Sequence, residues 1–200
     1  TVGLDLGTVT GILGILLCGK TDLSKIYGIE VQQEVAEMAQ RSVKLNNLEN
    51  RFEIINKNIK DLESVFDKNS FDFIITNPPY KKMDTGKTNE NSKKLISRHE
   101  ITATLKDFIK ISYIMLKDKG TLYMVHKPER LVDIIYQLRK NKIEPKEIRF
   151  VHPYEKKEPN LILIKAVKNG GQFLKIDKPL YVYNERGEYT EEILKIYNKM

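Results

Sequence analysis

The hydrophobic positions of this chain alternate between short apolar runs and amphipathic stretches with apolar residues three or four positions apart. Short apolar runs are typical of buried strands, and the amphipathic spacing is typical of helices packed on a core. The predicted strands cover residues 2–6, 25–30, 52–55, 71–76, 122–126, 147–152 and 161–167. The predicted helices cover residues 12–18, 33–46, 101–116 and 130–140. The pattern therefore predicts an α/β fold.

The order of these elements also predicts how the strands pair. Strands that alternate with helices form a parallel sheet, and ligands bind at the carboxyl edge of such a sheet. The last two strands are joined by the polar stretch 153–160, which is too short to contain a crossover helix. These two strands are therefore expected to be antiparallel. The prediction is a seven-stranded, mostly parallel sheet with a C-terminal antiparallel hairpin.

Composition narrows the class of protein. The 200 residues are 40% hydrophobic and 30% charged, which fits a single domain over residues 1–200. The chain opens with Thr1 next to an apolar run, so an N-terminal segment is expected to be missing. A single cysteine excludes an internal disulfide and fits the cytoplasm. The longest apolar stretch, 12–18, is far shorter than the ~20 residues of a membrane helix.

The net charge and the spacing of possible metal ligands indicate less about the function than the composition does about the class of protein. The 34 Lys and Arg against 27 Asp and Glu give a net charge of +7. This charge suits a polyanionic partner, but a lysine-rich composition without a function explains it equally well. The polar segment 81–94 is predicted to be a mobile loop. Cys18 and the scattered histidines lack metal-ligand spacing, so no metal is expected.

A glycine turn follows the first predicted strand, in the sequence Asp5-Leu6-Gly7-Thr8-Val9-Thr10-Gly11. Gly7 and Gly11 allow the backbone to approach a ligand, and the helix that follows offers free N–H groups. Asp5 would repel a pyrophosphate and suits the positive amino acid end of S-adenosylmethionine. Val9 stands where such turns usually have a glycine. Either the turn keeps a conformation that valine can adopt, or affinity for the cofactor is reduced.

Polar residues after the next two strands complete a predicted cofactor site. Glu30 ends the second strand, where a carboxylate accepts hydrogen bonds from ribose hydroxyls. Asn58 or Asp61 follows the third strand, where a short polar side chain would hold the adenine amino group. The combination of glycine turn and acidic strand end favours a nucleoside-containing cofactor.

The sequence Asn77-Pro78-Pro79-Tyr80 follows the fourth strand directly. An amino nitrogen conjugated to a ring or carbonyl is a poor nucleophile, and two acceptors of its N–H groups favour the sp³ form that attacks a methyl group. The side-chain oxygen of Asn77 and the carbonyl of Pro78 are the predicted acceptors, held by the stiff prolines. Tyr80 is predicted to stack on a base. Adenine N6, cytosine N4 and a glutamine amide all remain open as targets.

The three histidines are candidate general bases, although this chemistry requires none because the proton leaves after the methyl arrives. They are His99, His126 and His152. His126 ends a strand and His152 lies in another, so both are interpreted as structural histidines with satisfied hydrogen bonds.

Together these motifs make the chain resemble the bacterial tRNA1(Val) adenine-N6 methyltransferases, which modify the adenine 3′ of the anticodon. Further segments carry the resemblance: Arg98-His99-Glu100, Lys127-Pro128-Glu129-Arg130, Val151-His152-Pro153, Asn160-Leu161-Ile162-Leu163, Pro179-Leu180-Tyr181-Val182-Tyr183 and Tyr189-Thr190.

The resemblance implies a Rossmann-like class I fold, S-adenosylmethionine as cofactor and tRNA as partner. The chain is expected to be a monomer. The residues that it assigns to the cofactor are Asp5, Gly7, Gly11 and Glu30, and those that it assigns to the target base are Asn77 and Tyr80. Further expected RNA contacts are Lys81, Lys82, Arg98, His99 and Arg130.

Three alternatives stay open. A protein-glutamine methyltransferase acting on a release factor shares the core motifs, but the basic surface and the distal segments speak against it. A DNA adenine methyltransferase would need room for a sequence-reading domain. A non-catalytic RNA-binding module is the third alternative, and Val9 is the residue that favours it.

Overall fold

The computed structural model describes residues 1–80 and 103–197. The predicted loop 81–94 and four of the expected RNA contacts lie outside the described residues; these four are Lys81, Lys82, Arg98 and His99. The strands are β1 (Val2–Leu6), β2 (Lys25–Glu30), β3 (Phe52–Asn56), β4 (Phe71–Thr76), β5 (Leu116–His126), β6 (Ile143–His152), β7 (Leu161–Lys168), β8 (Lys175–Ile176) and β9 (Leu180–Tyr181).

Helices fill the connections between these strands. They are α1 (Ile12–Lys20), α2 (Gln33–Leu45), α3 (Leu105–Met115), α4 (Leu131–Lys140) and α5 (Glu191–Ile196), with short 3₁₀ helices at Ile59–Ser64 and Pro128–Arg130. None of the helices in the described ranges is both long and apolar enough to cross a membrane.

The strands form one sheet in the order β3-β2-β1-β4-β5-β7-β6-β8, with β9 also paired to β6. Strands β1 to β5 are parallel, and β7 is antiparallel to both β5 and β6. The predicted parallel sheet with a C-terminal antiparallel hairpin is therefore confirmed. The sheet has nine strands rather than seven, because β8 and β9 add two residues each at the β6 edge. Strands so short leave no apolar run in the sequence.

Two predicted boundaries were wrong. The helix predicted over 101–116 ends at Met115, and β5 begins at once at Leu116 rather than at residue 122. Leu116 pairs with Phe71, but the next pair joins Thr121 to Phe73, so the polar residues between them bulge out of the ladder. β6 likewise begins at Ile143, ahead of a bulge after Pro145. A bulge interrupts the apolar alternation by which a strand is recognised.

The sheet buries one hydrophobic cluster on each face. Ile26 and Ile29 lie on the same strand with opposite parity, and they belong to different clusters. The larger cluster lies beneath α3 and α4 and includes Ile109 and Ile134, while the smaller one lies beneath α1 and α2 around Phe52. Both faces of β2 are therefore covered, which fits the burial of its last three residues in succession.

Candidate active site

The carboxyl ends of the parallel strands meet at one edge of the sheet. Leu6 at the end of β1 pairs with Ile29 of β2 on one side and with Thr76 of β4 on the other. Thr76 in turn pairs with Met124 of β5, two residues before that strand ends. Neighbouring strands lie about 4.8 Å apart. The glycine turn and Asn77 therefore leave adjacent strands at the same level.

The glycine turn is fastened to the end of β2. The N–H groups of Gly7 and Thr8 both donate to the carbonyl oxygen of Ile29, at 3.0 and 2.9 Å. The N–H of Val9 donates to Oε2 of Glu30 at 3.2 Å. These bonds hold the turn close to Glu30, so that the residues expected to bind a cofactor from β1 and β2 lie side by side.

Val9 occupies the left-handed region of backbone conformation. Its φ is 52°, between Gly7 at 75° and Gly11 at 83°. A β-branched residue in this region is an outlier that costs roughly 1–2 kcal/mol. The turn therefore does not relax into a conformation that suits valine. It keeps a glycine-like conformation in which valine is strained. Its side chain is 55% exposed, so crowding inside the protein is not the source of that strain.

Asp5 lies completely buried beneath the turn. Its Oδ2 accepts a hydrogen bond from the Thr8 hydroxyl at 2.6 Å, whereas Oδ1 has no partner among the described residues. Burial raises the pKa of Asp5, the Thr8 hydrogen bond opposes the shift and the nearby Glu30 charge adds to it, and the net result is a pKa of about 7. A buried carboxyl oxygen that lacks a hydrogen-bond donor is suited to accept a hydrogen bond from an N–H group of a ligand.

Glu30 is also buried, and both of its oxygens accept backbone hydrogen bonds. Oε1 accepts from the N–H of Gln32 at 2.9 Å, and Oε2 accepts from Val9. Each carboxylate oxygen has a second lone pair, so these bonds leave acceptor capacity for ribose hydroxyls. The side chain of Asn56 supports the same strand end by donating to the carbonyl of Glu30 at 2.8 Å. Sequence reasoning missed Asn56, whose only signal is its position at the end of β3.

The two candidates after β3 have different surroundings. The Asn58 side chain caps the 3₁₀ helix by accepting from the N–H of Lys60 at 3.0 Å. Asp61 lies in the first turn of that helix and is exposed. Asn58 therefore has a structural role already, and its position next to the strand end is compatible with the predicted contact to adenine.

The last residue of β4 is held in place by a hydrogen bond, and the residue after it is exposed. Thr76 is buried, and its hydroxyl donates to the carbonyl of Leu6 at 2.9 Å. Asn77 is exposed, and its Oδ1 accepts a hydrogen bond from the Tyr80 hydroxyl at 2.6 Å. Pro78 is buried. The acceptor oxygen of Asn77 thus faces away from the core, with Tyr80 folded back over it.

Three residues at the end of β5 and just after it surround Tyr80. The His126 ring meets the Tyr80 ring at an angle of 63° with the centroids 5.1 Å apart. Lys127 places its ammonium 5.6 Å from the centroid of the Tyr80 ring. Arg130 approaches the carbonyl of Tyr80 at 3.5 Å and pairs with Asp133 at 2.8 Å. Arg130, expected to contact RNA, is thereby brought to the candidate site.

The interpretation of His126 as a satisfied structural histidine is wrong for one of its two nitrogens. His126 is fully buried; Nδ1 accepts from the N–H of Lys127 at 2.8 Å, but Nε2 has no partner among the described residues. Burial, with the charge of Arg130, lowers its pKa. His152 is partnered, because its Nδ1 lies 2.7 Å from the carbonyl of Lys157. His99 lies outside the described residues.

Within residues 1–80 and 103–197, no three His, Cys, Asp or Glu side chains are grouped as metal ligands. The polar atoms gathered at this edge are instead carboxylates, an amide, backbone groups and an aromatic ring. This set suits an organic cofactor and a planar substrate group.

Residues 1–138 match the family model of the methyltransferase small domain. The chain belongs to that family. This methyltransferase small domain contains the glycine turn, Glu30, Asn77 and Tyr80 within the matched part, and β6 and β7 lie after it.

Two curated relatives illustrate how similar this methyltransferase small domain is to known proteins. The tRNA1(Val) (adenine(37)-N6)-methyltransferase of Porphyromonas gingivalis is 28% identical over 162 residues, which are 80% of this chain and 63% of the relative. The protein of the same name from Parabacteroides distasonis is 26% identical over 198 residues, which are 96% of this chain and 79% of the relative. The chain thus spans less than two thirds of the first relative.

Solved structures confirm the fold of this methyltransferase small domain. A predicted O-methyltransferase from Agrobacterium tumefaciens superposes with a TM-score of 0.80 at 20% identity, over 98% of this chain and 88% of that one. The geranyl diphosphate C-methyltransferase of Streptomyces coelicolor gives a TM-score of 0.63 at 13% identity, over 84% and 70% of the two chains. The Rossmann-like methyltransferase architecture predicted from the sequence is therefore confirmed.

Proposed function

We propose that this chain transfers a methyl group from S-adenosylmethionine to the N6 amino group of an adenine in tRNA, namely the adenine 3′ of the anticodon of tRNA1(Val). The observation that carries the proposal is the placement of the Asn77 turn beside the glycine turn, on strands that pair at Leu6 and Thr76. The names of the curated relatives support the choice of nucleic acid and of nitrogen.

The residues at the ends of β1 and β2 fit the proposed cofactor. S-adenosylmethionine supplies a sulfonium methyl group when it is bound. Asp5 offers a buried oxygen without a donor, which suits the ammonium of the methionine part. Glu30 keeps acceptor capacity for the ribose hydroxyls, and Gly7 and Gly11 leave room for the ligand to approach the backbone. Asn58 and Asp61 are proposed to contact the adenine ring.

Asn77 and Pro78 are proposed to activate the nucleophile. The two carbonyl oxygens accept the two N–H bonds of the target amine, which favours the sp³ form and directs its lone pair at the methyl group. Since the Tyr80 hydroxyl occupies Oδ1 of Asn77 in the structure, the amine replaces that hydrogen bond as the base enters. One hydrogen bond is exchanged for another, so the replacement costs little free energy. Tyr80 then stacks on the base.

The proton balance requires no dedicated base. Formation of the C–N bond would break the bond between the methyl carbon and the sulfonium sulfur, and Asn77 and Pro78 would stabilise the positive charge left on the amine through the same two acceptors. A protonated amine of this kind is acidic and releases its proton to water. His126 has no role as a base in this proposal, because the methylated amine releases its proton to water.

Replacement of Asn77 tests this proposal. In Asn77→Ala the rate of methyl transfer to tRNA is expected to fall at least ~100-fold, the size of effect seen when one preorganised electrostatic partner is removed. Cofactor affinity measured by calorimetry is expected to stay within about twofold, because the hydrogen bonds of the glycine turn do not involve Asn77.

The matched control is Asn141→Ala, which truncates an asparagine after α4, at the opposite edge of the sheet. This variant is expected to retain full transfer. If Asn77→Ala keeps wild-type activity, the assigned role of the asparagine is wrong. Methyl transfer to a release factor instead of tRNA would favour the protein-glutamine alternative.

The strained Val9 favours a second candidate, a non-catalytic RNA-binding module. A chain that has lost its cofactor gives no heat with S-adenosylmethionine in calorimetry. A measurable heat of binding excludes this candidate.

We also propose that the polar segment after Tyr80 and the α4 region bind the tRNA. The residues assigned to this role are Lys81, Lys82, Arg98, His99 and Arg130. Arg130 lies against the backbone of Tyr80, which supports a contact close to the target nucleotide. The continuous sheet supports a single domain over residues 1–200, and we propose that it acts as a monomer in the cytoplasm.

A further inference from the structure

His126 and Tyr80 form the one aromatic pair recorded between the catalytic turn and β5 in the described part of the chain. His126 ends β5, where it pairs with Ile162 of β7, so backbone hydrogen bonds fix its position. Tyr80 has no such support, because it follows two prolines outside any strand. His126 is therefore fixed in place by its strand, and its side chain can hold the Tyr80 ring in position.

The hydrogen bonds of His126 decide its tautomer. Nδ1 accepts from the backbone N–H of Lys127, so that nitrogen carries no proton. The proton of a neutral imidazole must then lie on Nε2. This N–H is fully buried and has no hydrogen-bond acceptor among residues 1–80 and 103–197. A buried donor without an acceptor is destabilising and needs a reason.

The ring in contact with His126 is that of Tyr80, in an edge-to-face arrangement. Edge-to-face contact places the positive edge of one ring against the negative face of another, and an N–H at such an edge interacts favourably with π electrons. The centroid separation of 5.1 Å and the angle of 63° lie within this geometry. The opposite end of Tyr80 donates its hydroxyl to Asn77. The contacts therefore form a chain from β5 through Tyr80 to the acceptor oxygen.

We propose that His126 is a positioning residue for methyl transfer, which as a neutral imidazole holds the Tyr80 ring at the angle that aligns it with Asn77 and the entering base. The inference rests on the proposed function, because it concerns the same turn. It assigns to His126 neither proton transfer nor contact with the cofactor.

Three substitutions at position 126 test this role. His126→Phe keeps a ring and removes the N–H, and His126→Leu removes both at a similar volume. His126→Gln restores an N–H donor without the ring. Methylation of a tRNA transcript gives kcat and KM, while ¹⁹F NMR of protein labelled with 3-fluorotyrosine reports the surroundings of each tyrosine. Tyr80→Phe identifies the Tyr80 signal.

The expected result is a fall in kcat of tenfold or more for His126→Phe and His126→Leu, with the KM for S-adenosylmethionine within twofold of wild type. His126→Gln is expected to recover part of this loss. The ¹⁹F signal of Tyr80 is expected to shift or broaden in the Phe and Leu variants. A folded Phe or Leu variant with kcat within twofold of wild type, or with an unmoved Tyr80 signal, overturns the proposal.

His152→Phe is the matched control. His152 ends β6 and packs its ring 5.5 Å from that of Tyr181, so it makes a comparable contact with a tyrosine ring at the end of another strand. Its variant is expected to move the Tyr181 signal and leave kcat unchanged; an equal loss of kcat would overturn the specific role of His126. If wild-type protein methylates no tRNA, the proposed function fails, while the NMR signals still decide whether His126 holds Tyr80.

Discussion

Two residues of the glycine turn lower the stability of the ligand-free fold at positions where the cofactor is proposed to bind. Asp5 is a buried carboxyl with one oxygen that has no partner in the described part of the chain, and Val9 has a strained backbone. Both features cost folding free energy in the ligand-free chain. Features of this kind persist in proteins where they have a functional role, and here they lie where the cofactor is proposed to bind.

The pH dependence of stability tests the environment of Asp5. Its pKa is raised from 3.8 to about 7, so the folded chain holds this proton more tightly than the unfolded chain does. The contribution of Asp5 to the free energy of unfolding therefore decreases as the pH rises from about 4 to 7. Asp5→Asn removes this contribution and is expected to be more stable than wild type at pH 7 by a larger margin than at pH 4.5.

Urea denaturation of both proteins between pH 4.5 and 8 measures that margin. The comparison with wild type cancels the other carboxylates, such as Asp72, whose pKa is lowered by Lys117 and whose effect has the opposite sign. A margin that stays constant with pH would show that Asp5 titrates normally. The same variant is expected to bind S-adenosylmethionine at least tenfold more weakly.

Sequence reasoning at this scale identified which residues belong to the turn but not how they are paired. The sequence showed that Val9 stands at a position that usually has glycine, but it did not show that the φ of Val9 is 52°. The unpartnered nitrogen of His126 could not be predicted either. Its environment is created by Tyr80, which is 46 positions away along the chain and is brought close by the pairing of β4 with β5.

At the scale of elements, the start of α3 packs against the glycine turn. Thr104 caps its first turn, and the side chain of Asp107 completes a capping box. One turn further on, Phe108 lies beside Gly7, where an added Cβ would be 3.6 Å from the Phe108 ring. The start of this helix thus supports the backbone that the cofactor is proposed to contact.

Thr104→Ala tests that support. Loss of the cap is expected to lower the free energy of unfolding by about 1 kcal/mol, measured by urea denaturation. Because the first turn of α3 frays, hydrogen exchange at the N–H of Asp107 and Phe108 is expected to accelerate, while that of Met115 stays slow. Unchanged exchange at Phe108 would show that tertiary packing alone holds the turn.

Element types and their order could be predicted because each helix and strand has its own apolar period. The ends of helices and strands were predicted wrongly where that apolar period is interrupted. Leu116 is a strand residue directly after a helix residue, and the polar bulge that follows it hides the start of β5. β8 and β9 depend on pairing with β6 rather than on their own composition, so local sequence does not reveal them.

For the whole molecule, the net charge of +7 becomes informative only when it is placed on the fold. The catalytic turn leads directly into Lys81 and Lys82, and Arg130 lies beside it. The proposed tRNA contact is therefore at the carboxyl edge. Total charge alone could not distinguish this arrangement from lysines spread evenly over the surface.

Charge reversal at both lysines tests the assignment. In the Lys81→Glu, Lys82→Glu double variant, tRNA affinity is expected to fall, and the slope of log K against log salt to decrease by roughly 2 as two phosphate contacts are lost. The charge-matched control is Lys140→Glu with Lys142→Glu, two exposed lysines between α4 and β6 at the amino edge. Equal effects in the two double variants would mean that only total charge matters.

Cys18 is the single cysteine of the chain; it lies on the buried side of α1, and burial raises the pKa of its thiol. Such a thiol reacts slowly with maleimides. Glu49 is exposed in the connection from α2 to β3, at the edge of the sheet opposite Asn77. A Glu49→Cys substitution would therefore give one reactive thiol, by which the protein can be attached to a sensor chip with the proposed tRNA-binding edge free in solution.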